Sequence, residues 1–490
     1  MSLISDLSKR FRAELVGRII DVISGGILIV ALAHLLDPNA YGLLFLAISI
    51  FGMAEILSRF GIAKSAARFI VEHRGSNPTQ ITYILKFSFI YNIVMIIIVS
   101  VVFLLSHAHI AYLLEEPDLV PLLIVGVLYI AFSTLVVFNR HVLQGFEAIE
   151  ISALLNAGVS IIQLLFAVGF VLLGYGVIGA LVGYILGFII ISILGLSYIY
   201  IQYYRGGEKR DTEIDLQRQI VSYSFPLIAT NSANVLAKQV DTILVGFFLN
   251  PTAVAFYTIS KQVITFVETP ISALGFTLSP TYAAQKTSGN SETAARIYER
   301  AFSYGLLLYV PGAAGLILIS EPMIRIIFGS DYLGAVPVLQ ILSIYAILQS
   351  ITKITSEGLD FLGRAQERAI LMVITSVLNA VLNIILIPIV GVIGAAIATV
   401  ITYSIYTVGT VFLITIELKI SVKFLFQRIA VAISISVIIY LIVSQFIEYI
   451  TGFITLFAIV GLGVVIWLSL LHILGVFNVR KSYEKVIGSD

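Results

Sequence analysis

Residues 87–105 read FSFIYNIVMIIIVSVVFLL, 19 positions without a charged side chain between Lys86 and His107. The run is continuous rather than alternating. As a helix rising about 1.5 Å per residue it spans about 28 Å, close to the hydrocarbon thickness of a bilayer. Within lipid every backbone N–H and C=O has to be paired by the chain itself, which leaves only helices and closed barrels. A barrel strand would alternate apolar and polar positions, so this stretch predicts a transmembrane helix.

Read in both directions from it, apolar runs between polar breaks predict fourteen spans: 15–36, 41–63, 82–106, 119–141, 151–174, 177–203, 220–249, 252–280, 301–320, 336–360, 366–390, 391–416, 424–446 and 453–476. The composition agrees. Of 490 residues 59% are hydrophobic and 12% charged, and the mean hydropathy is +1.04. Soluble domains are about 45–50% apolar and about 25% charged. The chain has no cysteine, which excludes disulfides, iron–sulfur clusters and thiol catalysis. A net charge of +1 and a pI near 7.8 point neither to nor away from nucleic acid, and no nucleic-acid partner is expected. Lys9, Arg10 and Arg12 before an apolar stretch ending Ala31-Leu32-Ala33 resemble a signal peptide. Arg18 and Asp21 interrupt its apolar region, however, so the first span is read as retained.

Lysine and arginine set the expected orientation. One set of loops carries Lys64, Arg68, Arg74, Arg140, Arg205, Lys209, Arg210 and Arg218, then Lys286, Arg296, Arg300, Arg364, Arg368, Lys419, Lys423 and Arg428. Arg480, Lys481 and Lys485 put the C-terminus on the same side. The opposite set carries Glu115, Glu116, Asp118, Glu321, Asp331 and Glu448, with Arg325. Both termini are therefore expected on the cytoplasmic side of the cell membrane. No loop is long enough to fold as a soluble domain.

The two halves of the chain repeat. Leu36-Asp37-Pro38-Asn39-Ala40 corresponds to Leu249-Asn250-Pro251-Thr252-Ala253, and Pro121-Leu122-Leu123 to Pro337-Val338-Leu339. Gly176-Val177-Ile178-Gly179-Ala180 recurs unchanged as Gly391-Val392-Ile393-Gly394-Ala395. The offsets are 213 residues from Pro38 to Pro251, 216 from Pro121 to Pro337 and 215 from Gly176 to Gly391. Six spans per half give parallel repeats, related by an axis along the membrane normal. The expected organisation is all-α: an N-terminal lobe over 1–203, a connector over 204–219, a C-terminal lobe over 220–416, and two further helices with a tail over 417–490.

Several of these residues carry a family resemblance. The run Leu32-Ala33-His34-Leu35-Leu36-Asp37-Pro38-Asn39-Ala40-Tyr41-Gly42 resembles the exit of helix one in polysaccharide flippases, usually Leu-Ala-Arg-Leu-Leu-Gly-Pro-Glu-x-Tyr-Gly; His34 and Asp37 depart from it. Phe60-Gly61-Ile62-Ala63 with Ala66, Ala67 and Arg68 looks like that family's end of helix two. Asp241-Thr242-Ile243-Leu244-Val245-Gly246 with Tyr257, Phe328-Gly329 with Tyr332 and Ala335 to Leu339, and Leu378-Asn379-Ala380 to Ala396 are similar to its second half. The resemblance is to lipid-linked oligosaccharide flippases of the multidrug/oligosaccharidyl-lipid/polysaccharide exporter superfamily. It implies a transporter and not an enzyme, moving a polyprenyl-(pyro)phosphate-linked oligosaccharide between leaflets by alternating access. A cation-coupled multidrug antiporter and a peptidoglycan-precursor flippase are the alternatives; fourteen spans favour the flippase branches.

Charges at membrane depth point to function, because each is costly there. Arg18, Arg59, Lys238, Lys261 and Lys353 are expected to line a cationic cavity between the lobes and to bind the (pyro)phosphate. At about 1.5 Å per residue, Lys261 is about 14 Å and Lys238 about 16 Å from the outer end of its helix. Asp21, Glu55, Asp241 and Glu268 are candidates for coupling H+ or Na+, or for balancing the cations. Structural pairing is the competing reading, since Lys238–Asp241, Glu55–Arg59 and Lys353–Glu357 all have helical ion-pair spacing. His107 and His109 lack further ligands, so no metal or cofactor is expected, and no nucleotide-binding loop points to ATP. Membrane lipid and the lipid-linked glycan are the expected partners of a monomer. The stretch 322–328 reads as a short interfacial helix, and Pro270, Pro311 and Pro388 as kinks or helix ends.

Overall fold

A computed structural model describes residues 2–75, 79–206, 214–287 and 291–474. Among the described residues there are fifteen α-helices. In the first half they are α1 Ser2–Leu35, α2 Pro38–Arg59, α3 Ile62–Arg74, α4 Thr79–Leu113, α5 Leu119–Gly145, α6 Ile149–Phe170 and α7 Gly176–Ile199. There follow α8 Ile214–Phe248, α9 Pro251–Thr287, α10 Ser291–Ile327, α11 Val336–Phe361, α12 Ala365–Val390, α13 Val392–Leu418, α14 Val422–Ser444 and α15 Phe453–Ile473. All but the 13-residue α3 coincide with the fourteen expected spans. Eleven described stretches are long and apolar enough to cross a membrane, one of which, Ile149–Tyr204, holds both α6 and α7. The chain is a multi-pass α-helical membrane protein.

Helix ends differ from the expected spans for physical reasons. α10 begins at Ser291, where Glu292, Arg296 and Glu299 continue a helix outside the apolar slab. The interfacial helix expected over 322–328 is instead the end of α10, which runs through Pro311 and Pro322. α9 and α12 likewise continue through Pro270 and Pro388. Part of the expected connector, 207–213, and the tail 475–490 lie outside the described residues.

The chain divides into two compact units, Met1–Thr258 and Ile259–Asp490. Within the first, α4 packs on α5, α5 on α7, and α6 on α7; within the second, α10 packs on α11, α11 on α13, and α12 on α13. The pattern is that of the sequence repeat. Its motifs are structural joints. Asp37 accepts from the N–H groups of Asn39 (2.9 Å) and Ala40 (3.0 Å), and Pro38 opens α2. Asn250 accepts from the N–H of Ala253 at 2.9 Å, and Pro251 opens α9. An N-terminal proline has no N–H to leave unpaired, and the Asx side chain covers the next ones. Asp37 thus caps where the family pattern has glycine.

The Gly-Val-Ile-Gly-Ala motif makes the tight joints α6–α7 and α12–α13. Gly176 (φ 55°, ψ −141°) and Gly391 (φ 70°, ψ −151°) share a backbone conformation that side chains exclude. Three residues on, a Cβ at Gly179 would come within 2.6 Å of the Tyr175 Cβ, and one at Gly394 within 2.5 Å of the Leu386 carbonyl oxygen. We expect Gly176→Ala and Gly391→Ala each to destabilise by about 1–3 kcal/mol. Gly312→Ala in α10, where an added Cβ meets nothing within 4 Å, is neutral or mildly stabilising. Thermal unfolding of the three purified variants in detergent checks this ordering.

Candidate functional site

In the first unit the carboxylate of Glu55 is the centre of a buried polar cluster. It is 7% exposed. Arg59, one turn on, donates to it as an ion pair, and Ser133 of α5 donates to it as well. Beside them Ser58 and Thr134 hydrogen-bond through their hydroxyls at 2.7 Å. The expected i, i+4 pair between Glu55 and Arg59 is therefore made, and a third partner from α5 fixes it.

Arg59 is the last residue of α2, and the chain turns immediately. Phe60 (φ 38°) and Gly61 (φ 69°) both adopt left-handed backbone, and α3 starts at Ile62. A Cβ on Gly61 would meet the Ser224 carbonyl oxygen of α8 at 2.6 Å, so only glycine fits there. Phe60 packs edge-on to Phe225 with ring centroids 5.4 Å apart. The elbow thus sets where the guanidinium lies. Its side chain is 36% exposed, while its Nε is buried and has no hydrogen-bond partner among the described residues.

The other candidates fall differently. Asp21 accepts from Ser160 of α6 and does not pair with Arg18, which is exposed and makes no ion pair among the described residues. Asp241, 3% exposed, accepts from the Tyr257 hydroxyl at 2.8 Å. The Lys238 side chain lies outside the described residues, so the Lys238–Asp241 spacing has no counterpart to report. In the second unit Lys261 and Glu268 are both half-buried on α9. Lys353 is half-buried on α11 and makes no ion pair among the described residues, so its helical spacing to Glu357 is not used. Asp360, which shares that face, pairs with Arg368 of α12 at 2.6 Å.

The repeat offset exposes a relation that was not read from the sequence. Glu55 and Glu268 are 213 residues apart, the offset of Pro38 and Pro251. Glu55 lies within electrostatic reach of Tyr129, whose ring meets Phe188 edge-on at 5.0 Å and 86°. Glu268 lies within reach of Tyr345 and Tyr403, which meet edge-on at 4.5 Å and 82°. Tyr129 and Tyr345 differ by 216, Phe188 and Tyr403 by 215. Each unit therefore holds one carboxylate within electrostatic reach of a tyrosine of one T-shaped aromatic pair that bridges equivalent helices. Applying the offset to every charged residue would have found the pair of glutamates.

Two units with recurring helix contacts and recurring joints, and with charged groups on their spanning helices, define an all-α membrane fold with an internal repeat. Residues 13–283, more than half of the chain, match the family described as polysaccharide biosynthesis protein, and the chain belongs to that family. Residues 226–385 also match the MatE family. Among relatives, the probable low-salt glycan biosynthesis flippase Agl15 of Haloferax volcanii is 28% identical over 39% of this chain. The probable flippase AglR of the same organism is 27% identical over 52% of it. The chain spans 40% of the length of the first of these relatives and 53% of the second. The fold is similar to that of the lipid II flippase MurJ in an inward closed conformation, with TM-score 0.75 and 18% identity over 94% of this chain and 98% of that one.

The Glu55 cluster yields a sharp expectation. Arg59→Ala leaves a buried carboxylate without its cation and destabilises the protein, by less than the about 3–5 kcal/mol of a fully buried pair because Arg59 is partly exposed. Glu55→Gln/Arg59→Ala, which removes the stranded charge, restores part of that loss. A double-mutant cycle in thermal unfolding measures the coupling; additive single losses would contradict the pairing.

Proposed function

We propose that this protein is a flippase for a polyprenyl-(pyro)phosphate-linked oligosaccharide, moving it from the cytoplasmic to the outer leaflet for cell-surface glycan synthesis. The observation that carries the reading is that Arg18 and Lys353 stand on spanning helices without an ion pair among the described residues, in a chain of a polysaccharide biosynthesis family. A cation at membrane depth is costly, about 2.5–3.5 kcal/mol at a helix centre. An anionic ligand offsets that cost; a carboxylate neighbour here does not.

In the first unit Arg18, Arg59 and Lys238 are the candidates for binding phosphate oxygens by charge-assisted hydrogen bonds; in the second unit the candidates are Lys261 and Lys353. The glycan follows the phosphate through a wet path while the lipid tail stays in the bilayer. Asp241, with its tyrosine hydrogen bond, and Glu268 are the coupling candidates for H+ or Na+; Asp21 and Glu55, held by Ser160, Ser133 and Arg59, balance charge. The termini face the cytoplasm of the cell membrane in this reading, which the lysine and arginine distribution supports. The protein works as a monomer with no catalytic step of its own. Exchange of a cationic drug is the competing reading, and the same five cations would repel such a substrate.

The test is flipping of a fluorescent polyprenyl-pyrophosphate glycolipid in proteoliposomes, read by quenching from outside. Arg18→Ala, Arg59→Ala and Lys353→Ala are expected to slow flipping about tenfold each at equal reconstitution, the loss of one charge-assisted hydrogen bond. Full flipping by all three, or efflux of cationic dyes in place of flipping, overturns the assignment. If Asp241 couples an ion, Asp241→Asn removes the dependence of flipping on the H+ or Na+ gradient.

A further inference from the structure

The face of the first unit formed by the start of α4, the end of α5 and the end of α7 carries a groove of about 310 Å³. Phe89, Phe138 and Leu196 form its apolar floor, and Lys86 is its charged lining residue. Lys86 is exposed and makes no ion pair among the described residues. The rim on the α7 side is a π-helical turn, Tyr200–Tyr204, closed by the Arg205 N–H donating to the Tyr200 carbonyl at 2.9 Å. Such a turn widens a helix by one residue and is common at functional sites. Here Tyr200 and Tyr204 stack with centroids 5.6 Å apart, and both line the groove. A second, shallower hollow on the other side of Tyr200 shares Leu196 and Tyr200 with the first.

The second unit shows what such a face requires. There α10, the counterpart of α4, is covered by α14 and α15: Ala301, Phe302 and Leu306 share one core with Leu425, Ala432 and Ile435. The indole N–H of Trp467 seals the cover with a 2.7 Å hydrogen bond to the Leu307 carbonyl. The repeat unit thus leaves an apolar face on its fourth-helix side, and in the second unit two extra helices of this same chain fill it. No described helix fills the corresponding face of the first unit, and that is the face which bears Lys86.

We propose that this groove is a binding site for one anionic, two-chain membrane phospholipid. The two hollows flanking Tyr200 take its two hydrocarbon chains, and the Lys86 ammonium takes its phosphate. Lys86 lies seven residues into α4, about 10 Å from the helix start, so its flexible stem reaches the head-group level. Tyr200 and Tyr204 sit beside it as interfacial aromatics do. A basic residue at the mouth of an apolar inter-helix pocket is the arrangement that selects anionic head groups. Two hollows, rather than one long one, favour a bilayer phospholipid over the single polyprenyl tail of a glycan carrier. The site needs no transport step and does not use the cations of the flipping site.

Native mass spectrometry of the whole protein, titrated with phosphatidylglycerol or phosphatidylcholine, tests the site independently of flipping. The expected result is a phosphatidylglycerol adduct that phosphatidylcholine does not displace. It weakens at least about fivefold in Lys86→Ala and further in Lys86→Glu, one surface charge being worth about that factor. It survives in Lys86→Arg and in the distant control Lys423→Ala. Leu196→Trp, which fills the floor, abolishes it; if that variant does not fold, the Lys86 series alone decides. Equal binding of the two lipids, or an undiminished adduct in Lys86→Glu, overturns the proposal. Displacement by equimolar polyprenyl phosphate overturns it too, and reassigns the groove to the substrate tail.

Discussion

A backbone amide in hydrocarbon has no water to pair with, and that constraint propagates through the whole structure. It makes each described crossing a helix, interrupted only locally by prolines such as Pro311 and Pro388. At the ends the free N–H groups are met by Asp37 and Asn250, or removed by Pro38 and Pro251. Once helices are obligatory, lipid gives them no hydrophobic reason to associate, so close packing has to come from small residues and polar contacts. Gly183 lies so close to α6 that a Cβ would fall 2.2 Å from the Ala167 nitrogen. Asn139 donates to the Ser192 carbonyl at 2.9 Å, and Thr352 meets Thr407 at 2.9 Å, tying α5 to α7 and α11 to α13.

The repeat follows the same economy of solutions. A left-handed glycine, a tight joint and a second glycine three residues on recur at Gly176 and Gly391 because few backbones turn a helix back on itself so tightly. What the halves keep is joints, packing partners, and a carboxylate within electrostatic reach of an aromatic pair. What they change is the outer face. The second unit covers it with α14 and α15, whereas the first opens α7 into a π-helical turn. Duplicated units are free to diverge where the neighbour is lipid, since lipid makes few demands of register.

Hydropathy made nearly all of this architecture legible, because the bilayer imposes a length on every apolar run. It did not show α3, in which Lys64, Arg68, Glu72 and Arg74 alternate with buried Ile62, Ala66, Phe69 and Ile70. That is an amphipathic helix with one face packed on the unit and the other exposed, and its window average is polar. For the same reason α4 and α10 run past their apolar spans. Ion pairs were legible only in part. Spacing placed Glu55 and Arg59 on one face, but the contact was completed by Ser133 from another helix. Lys353 and Glu357 have the same spacing and do not pair, while Asp360 goes to Arg368 across the α11–α12 turn. Spacing along one helix states which side chains can meet, and the neighbouring helix decides which do.

The cations divide accordingly into those the fold consumes and those it leaves. Arg59 is held on one side by Glu55 at an elbow whose Phe60 and Gly61 prevent the helix from simply continuing. A guanidinium fixed this way loses little further freedom when it meets an anion. Arg18 and Lys353, without an ion pair among the described residues, keep a charge that the described fold does not offset. Within a span, a cation that the fold leaves unpaired is stabilised by a negative charge brought near it and destabilised by a positive one. Which cations a fold neutralises internally therefore decides the charge it favours in a neighbour, a property that no count of net charge reveals.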